Sequence, residues 1–265
     1  MNTELIILGC GNSFGTPRID GVWGKSNRKN IKNYRTRCSV AIKKGSNCVL
    51  IDTSPDIRFQ LIKNNIKKIS SVIYTHEHAD QTNGLFELRP FTFSKKENFD
   101  FWNNKELIDI YGSKKTINLL KKRFDYCFKK IGSYPPIVKP NIINKKFSLG
   151  QANEKIHFNC FEAKHGSVKS TIYVFNNTAY ISDCNDINIV KKNVLKNLNF
   201  LILDCLKIED NFAHFTLNEC LYIHKKLKPK KTILTNLHHD LDYNYLLKIL
   251  PKDIVPAYDG LRIKL

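Results

Sequence analysis

The chain has 265 residues, of which 42% are hydrophobic, so it can build one large core, and we expect a single domain over residues 1–265. No apolar run is long enough to cross a bilayer, which argues against a membrane partner. The net charge of +19 would attract any polyanion, but its lysines are spread along the whole chain, so a nucleic-acid partner is not favoured.

Cysteine usage and the amino terminus indicate the compartment. Eight cysteines are scattered singly, without a CxxC pair and mostly inside apolar segments, which is typical of reduced core thiols. Met1 to Glu4 lead into a strand without a basic start or a small-residue cleavage site. We therefore expect a cytoplasmic protein.

The first half of the chain alternates short apolar runs with turn residues. In chain order it predicts a strand at residues 4–8, a surface loop at 16–37, a hairpin at 38–43 and 48–52, a strand at 71–75, a short helix at 82–88 ending before Pro90, an insertion loop at 94–106, and an amphipathic helix at 114–130 capped by Ser113. Ser54-Pro55 predicts a helix start, with Ile57, Leu61 and Ile62 on its buried face.

The second half repeats this style. It predicts strands at 156–163, 170–176 and 178–182, a helix at 186–197, a strand at 200–204, a helix at 216–228 and a strand at 231–235. Thr216 and Glu219 form a capping box at the start of the last helix. Strands in both halves interspersed with helices predict an α/β (α+β) fold, a four-layer αββα sandwich.

The stretch THEHADQ at residues 75–81 carries the strongest chemical signal. His76, His78 and Asp80 stand on alternate residues directly after the apolar strand at 71–75. Two imidazoles and a carboxylate are a usual ligand set for zinc, manganese or iron. The alternative, a solvated polar loop, is the weaker interpretation because both histidines follow a buried strand. The pattern therefore predicts a divalent metal site.

Further segments support a resemblance along nearly the whole chain: ILGCGNSFGTPR, RTRCS, LIDTSPDIR, YTHEHADQTNG, KHG, YISDC, AHFT, LTNLHHDLDY and AYDG. With them the chain resembles the metallo-β-lactamase superfamily, and within it the PhnP-type phosphoribosyl cyclic phosphate phosphodiesterases. The resemblance implies a homodimer and a metal-dependent hydrolase acting on a small or cyclic phosphodiester through a metal-bound hydroxide.

The resemblance also implies a first metal site, built from His76, His78, His165 and a bridging Asp183. It gives Asp80 to the second metal and to catalysis. We expect one firmly bound zinc or manganese ion at the first site.

The second metal site departs from the family pattern. Two family histidines are replaced here by Gln81 and Asn236. The site is then vacant, or holds a hard cation weakly through amide oxygens, or recruits His238 as a substitute ligand. We favour a vacant or weak second site, because neutral amides hold zinc poorly compared with imidazoles.

Other residues receive roles with alternatives. By resemblance His214 contacts the phosphate and protonates the leaving oxygen; the alternative is a histidine packed between phenylalanines. Asp52 is expected to hydrogen-bond the metal loop, meaning the stretch at residues 75–81, or else to cap a local turn. Glu77 is expected to face solvent. His239 matches the histidine of a family accessory zinc, but we do not expect that zinc here because no cysteine stands between residues 11 and 37.

His157 and His224 are expected to be structural. Three rival functions stay open. A tRNase Z-like nuclease would suit the positive charge, although no arm for gripping RNA is evident. A non-catalytic binding or regulatory protein would explain Gln81 and Asn236. A thioester or lactam hydrolase is also compatible, because the metal loop alone does not choose the substrate.

Overall fold

Two β-sheets packed face to face form the centre of the protein. The computed structural model describes residues 2–92 and 106–265, and within them each sheet has seven strands. The first sheet contains β1 (Thr3–Gly9), β2 (Ser39–Lys44), β3 (Asn47–Ile51), β4 (Ser71–Ile73), β5 (Ile108–Gly112), β6 (Val138–Ile142) and β14 (Arg262–Lys264). The second contains β7 (Lys146–Leu149), β8 (Ile156–His165), β9 (Val168–Phe175), β10 (Thr178–Ile181), β11 (Phe200–Asp204), β12 (Lys231–Thr235) and β13 (Ile254–Pro256).

Helices cover the outer faces of both sheets. They are α1 (Ile57–Lys63), α2 (Ala79–Thr82), α3 (Lys114–Arg123), α4 (Asp125–Phe128), α5 (Leu217–Leu227) and α6 (Tyr243–Ile249). The predicted caps are present: Ser113 accepts from the backbone of Thr116, and Thr216 and Glu219 form a capping box at the start of α5.

Strand alternation explains the layers. In β1, Leu5 and Ile7 point into the core between the sheets, while Ile6 and Leu8 point into the core beneath the helices. Such a strand is buried on both faces and has no polar side to turn toward water. A third apolar cluster lies between the second sheet and α5 and α6. The predicted four-layer αββα sandwich is therefore confirmed.

Parallel strands bring the functional loops to one edge. β3, β4 and β5 run parallel in the first sheet, and β10, β11 and β12 run parallel in the second. The carboxyl ends of parallel strands meet at the same edge of a sheet, where α/β proteins place their ligands. The residues that follow β4, β10, β11 and β12 are therefore brought to one place.

Several predicted helices differ from the observed ones. α1 begins at Ile57, two residues after Pro55, because Ser54 forms a turn by accepting from the backbone of Asp56. Ile62 is 66% exposed, so its predicted burial is wrong; the buried face runs through Ile57 and Leu61.

The predicted helix at 82–88 is wrong in position. The chain instead forms α2 and then a 3-10 helix from Leu85 to Thr92, with Pro90 inside it. The predicted helix at 114–130 is two helices, α3 and α4, separated at Phe124, whose backbone leaves the helical region. The predicted insertion loop at 94–106 lies outside the described residues except for Glu106.

The predicted helix at 186–197 is also wrong. Two short 3-10 helices, Ile187–Lys191 and Asn193–Leu195, replace it, and Lys192 between them is extended. Ile187 and three further β-branched residues lower the helix propensity of this stretch.

Among the described residues, no helix is both long and apolar enough to span a bilayer. All eight cysteines are described, and each is a buried free thiol.

Candidate metal centre

The first sheet supplies two imidazoles at the end of β4. His76 is buried, and His78 in the same loop is partly exposed, with their ring centroids 4.4 Å apart. Thr75 lies 3.0 Å from Nδ1 of His76 and donates its backbone N–H and its hydroxyl to Asp52, both at 2.8 Å. Asp52 therefore fixes the position of the metal loop through Thr75. Its own backbone is left-handed (φ 65°), a conformation that aspartate tolerates.

The second sheet supplies the third imidazole and a carboxylate. His165 ends β8, and its Nδ1 donates to the carbonyl oxygen of Ala213 at 2.8 Å, which leaves Nε2 facing the centre. Asp183 follows β10, with its Oδ1 3.9 Å from Nε2 of His165. The ligand atoms of His76, His78 and His165 lie within 4.8 Å of one another. The structure thus brings these four predicted residues together.

His76, His78, His165 and Asp183, the first position, fit a divalent cation. Nε2 of His76 is buried and has no hydrogen-bond partner among the described residues. Burial lowers the pKa of His76 to about 3, so its imidazole is neutral, the form that binds a metal. A buried polar atom without a partner is costly, and a cation at this point would satisfy it.

Gln81 occupies the second position with a hydrogen-bond donor. Its side-chain nitrogen lies 3.3 Å from Oδ2 of Asp80 and 3.2 Å from Oδ2 of Asp183. Burial, followed by repulsion from Asp183, raises the pKa of Asp80. The amide N–H groups therefore compete with a second cation for these two carboxylate oxygens.

Asn236 acts in the same way from β12. Its Nδ2 donates to the backbone oxygen of Ser182 at 2.9 Å and to Oδ1 of Asp204 at 3.0 Å. Because a carbonyl oxygen only accepts, the bond to Ser182 fixes which end of the amide faces the carboxylates. Oε1 of Gln81, however, is buried without a hydrogen-bond partner among the described residues, so the second position offers a cation one amide oxygen, a weak ligand.

His214 lies beside the first position and pairs with Asp204. Its Nδ1 is 2.9 Å from Oδ2 of Asp204 and 3.9 Å from Oδ1 of Asp183. Burial alone would lower the pKa of His214, but the carboxylates of Asp204, Asp183 and Asp80 together outweigh it and raise this pKa to about 9. His214 therefore carries a proton at neutral pH.

Asp204 was not among the predicted site residues. A usable signal exists, because Asp204 ends the apolar strand β11 just as Asp183 follows β10. When two adjacent parallel strands each end at a carboxylate, both carboxylates are candidate site residues.

His238, the alternative ligand for the second position, does not point toward the carboxylates there. Its Nδ1 is 3.3 Å from a carboxylate oxygen of Asp240, and its ring packs on His239 with centroids 3.7 Å apart. The ligand atoms of His238, His239 and Asp240 also lie within 4.8 Å of one another. These three residues are consecutive, and His238 stays outside the first ligand group.

The predicted solvent exposure of Glu77 is wrong. Glu77 is only 6% exposed and pairs with the ammonium group of Lys115 at 2.5 Å. From the other end of α3, Arg123 donates to the backbone oxygen of Glu77 at 2.8 Å and to the hydroxyl of Thr82 at 3.0 Å. Helix α3 therefore braces the metal loop.

The two histidines predicted to be structural lie away from the centre. His157 is an exposed residue of β8 whose Nδ1 lies 2.7 Å from the hydroxyl of Ser148. His224 on α5 contacts Thr232 at 2.9 Å and Asp253 at 2.8 Å.

A hollow of about 380 Å³ opens onto the centre. Its lining comes from the loops after β1, β11 and β12 and from the metal loop: Asn12, Ser13, Phe14, Asp80, Leu206, Lys207, Asn211, Phe212, Ala213, His214, Asn236 and His238. Its volume falls in the range of about 300–1,000 Å³ that small-molecule sites occupy.

Comparisons with known proteins agree with this geometry. A model of the β-lactamase superfamily domain matches residues 47–238. A crystal structure described as a new diphosphatase from the PhnP family is 30% identical, with a TM-score of 0.84 over 100% of this chain and 98% of that one. The short form of human tRNase Z is 16% identical, with a TM-score of 0.67 over 98% of each chain, which shows the fold alone.

A curated relative, the octanoyltransferase of Porphyromonas gingivalis, is 26% identical over 261 residues. The match takes in 97% of this chain and 50% of the relative. The chain therefore spans about half the length of that protein.

Proposed function

Since this chain belongs to the β-lactamase superfamily and, within it, to the PhnP family, we propose that it is a metal-dependent hydrolase that cleaves a small or cyclic phosphodiester. The observation that carries the proposal is the buried Nε2 of His76, without a partner among the described residues and surrounded by His78, His165 and Asp183. The diphosphatase named among the relatives supports phosphoryl chemistry.

His76, His78, His165 and Asp183 would hold a divalent cation, zinc or manganese, which would supply Lewis-acid activation of water and of the phosphoryl oxygen. The chain's own residues then do the rest. Asp52 and Thr75 keep the imidazoles aimed at one point. His214, whose Nδ1 is engaged by Asp204, has Nε2–H free to donate a proton to the leaving oxygen.

The side-chain amides of Gln81 and Asn236 limit the number of cations that the site binds. Gln81 and Asn236 direct N–H groups at Asp80, Asp183 and Asp204, so we propose one firmly bound ion and a vacant or weak second position. Without a second cation, the protonated His214 and the nearby Lys207 neutralise the charge that develops on the leaving oxygen.

The other names among the relatives do not extend this proposal. Octanoyl transfer belongs to a protein twice as long, of which only half matches. A tRNase Z-like activity has only the net charge of +19 in its favour, because a 16% identical structure carries the fold alone. The cytoplasmic location and the homodimer stay predictions; the buried free thiols suit a reducing compartment.

Hydrolysis of bis(p-nitrophenyl) phosphate by purified, metal-loaded protein tests the proposal. We expect turnover that a chelator abolishes and that returns when zinc or manganese is restored. His76→Ala should lower both activity and metal content, whereas His157→Ala, the matched exposed control, should lower neither. Absence of turnover in the metal-loaded natural chain would favour the binding-protein rival. Cleavage of transfer RNA precursors with no turnover of small esters would favour the nuclease.

A further inference from the structure

The loop that carries His214 is closed at its base and exposed near its tip. It spans residues 205–216 between β11 and α5, and we call it the His214 loop. At the base, the backbone of Leu206 donates to the carbonyl oxygen of Phe215 at 3.0 Å. Residues 208–210 near the tip are all exposed. Because such a segment buries little surface of its own, its position depends on the bonds that neighbouring loops make to it.

The side chain of Asn185 makes one of these bonds. Its Nδ2 donates to the carbonyl oxygen of Phe212 at 2.7 Å, and its Oδ1 accepts from the backbone N–H of Gly166 at 3.1 Å. Its own backbone N–H donates to the carbonyl oxygen of Lys164 at 2.9 Å. Since a backbone N–H only donates and a carbonyl oxygen only accepts, the two partners fix which end of the amide faces which loop.

The three segments that Asn185 joins all carry residues of the metal centre or its proton donor. Asp183 lies two residues before Asn185, and His165 lies next to the glycine that it contacts. His214 lies two residues after the carbonyl that it contacts. At the same place Nδ1 of His165 donates to the carbonyl oxygen of Ala213 at 2.8 Å, and the rings of His165 and His214 have centroids 4.7 Å apart.

The His214 loop is packed closely at this contact. A Cβ added to Gly166 would lie 2.9 Å from the ring of Phe212 and 3.1 Å from the Cβ of Ala213. Gly166 also has a left-handed backbone (φ 55°), so glycine suits both the space and the conformation. The ring of Phe212 therefore lies directly over Gly166, and the amide of Asn185 bonds the backbones of both.

The ion pair with Asp204 does not by itself fix the position of His214. It holds Nδ1 of the ring at 2.9 Å, whereas the atom that donates the proton in the proposed function is Nε2. The position of Nε2 also depends on the backbone of His214, whose N–H donates to the side-chain oxygen of Asn211 at 3.2 Å. Asn211 belongs to the same loop, so that bond would move with it. Asn185 connects the loop to the rest of the centre.

We propose that Asn185 is a positioning residue for the hydrolysis, because its amide sets the place of His214 at the metal centre by fastening the His214 loop to the segments of His165 and Asp183. This inference rests on the proposed function. A displaced general acid transfers its proton less readily, and a misplacement of about 1 Å can cost about a hundredfold in rate. Asn185 does not line the hollow, so the loss should fall on kcat and leave KM unchanged.

The test uses Asn185→Asp and two esters with different leaving groups. The aspartate keeps an oxygen for the Gly166 N–H but presents an oxygen instead of an N–H to the carbonyl of Phe212. Methyl 4-nitrophenyl phosphate releases a phenolate that its nitro group stabilises, whereas methyl phenyl phosphate depends more on the proton from His214. We expect kcat for the phenyl ester to fall by about tenfold to a hundredfold at unchanged KM, and kcat for the nitrophenyl ester to change little.

Asn188→Asp is the matched control for the added charge. Asn188 is exposed three residues further along, and its side chain has no hydrogen bond within the described part of the chain. This variant should leave both esters unaffected. An equal loss for both esters in Asn185→Asp, or the same loss in Asn188→Asp, would overturn the inference. A competing-chelator titration should show unchanged metal affinity in Asn185→Asp; an affinity loss that accounts for the whole effect would also overturn it.

Amide hydrogen exchange of the metal-free protein separates this inference from the proposed function. In Asn185→Asp the backbone amides of Ala213 and His214 should exchange faster than in the natural chain, while those of α5 keep their protection. If the natural chain hydrolyses neither ester, the proposed function fails and the exchange result decides. Faster exchange then still supports a bond that positions His214, and unchanged exchange overturns it.

Discussion

Gln81→His/Asn236→His should convert the proposed one-ion centre into a two-ion centre. In the natural chain the two amides donate hydrogen bonds to the carboxylates around the second position. Imidazoles in their place offer lone pairs instead of N–H donors, so the carboxylates become available to a second cation. We expect the metal content to rise from about one ion per chain to about two.

The magnitude follows from the bonds that are lost. Asn236 donates to the Ser182 carbonyl at 2.9 Å and to the Asp204 carboxylate at 3.0 Å. A neutral bond contributes about 0.5–1.5 kcal/mol and a charged one about 1.5–3 kcal/mol. Loss of these two Asn236 bonds alone should therefore cost the metal-free double variant roughly 2–4.5 kcal/mol of unfolding free energy, and a cation at a hundred times its Kd should return about 2.7 kcal/mol.

The assay is elemental analysis combined with urea unfolding, with and without zinc or manganese. Gln151→His/Asn188→His adds two imidazoles at exposed amides and should change neither quantity. Two ions in the natural chain would refute the reasoning, because the amides would then be acting as ligands. The reasoning also fails if the metal-free double variant is as stable as the natural chain, because the amide hydrogen bonds would then contribute nothing to stability.

Three further substitutions probe the site. His214→Asn should lower kcat by about 10²–10⁴; since the pKa of His214 is raised to about 9, the natural rate should persist below that pH and fall as pH rises through it. Asp52→Asn turns an amide toward the Thr75 N–H and should weaken metal binding by about 10–100-fold in a competing-chelator titration. Gly166→Ala forces a side chain onto φ 55° and should cost about 1–2 kcal/mol in urea unfolding.

Each of these has its own check. His157→Asn should keep the full rate, and an alkaline limb that survives His214→Asn would assign the proton to another group. Metal affinity that is unchanged by Asp52→Asn would show that the bond to Thr75 does not position the imidazoles. Gly21 has φ 80° with nothing within 4 Å of an added Cβ, so Gly21→Ala measures the backbone cost alone. Gly166→Ala must exceed that cost if the ring above Gly166 matters.

The sequence predicts best where the signal is local. His76, His78 and Asp80 could be placed because a buried strand, β4, runs directly into them. The capping box at Thr216 marks the start of α5 for the same reason, since both partners lie within one turn. The αββα sandwich follows from strand and helix order along the whole chain.

Features that depend on distant contacts could not be predicted. Glu77 is buried because Lys115 reaches it from α3, and no local pattern reveals that pairing. Asp204 is important only because β11 lies beside β10 and brings it to His214. The orientation of the Asn236 amide likewise depends on Ser182, 54 residues earlier in the chain.

The metal centre draws its ligands from both layers of the sandwich. His76 and His78 follow a strand of the first sheet, while His165 ends one strand of the second sheet and Asp183 follows another. A cation held by all four would cross-link the two sheets at the edge where these strands end. Its removal should therefore loosen the seam first, as faster amide exchange at the ends of β4 and β10, while the outer helices keep their protection.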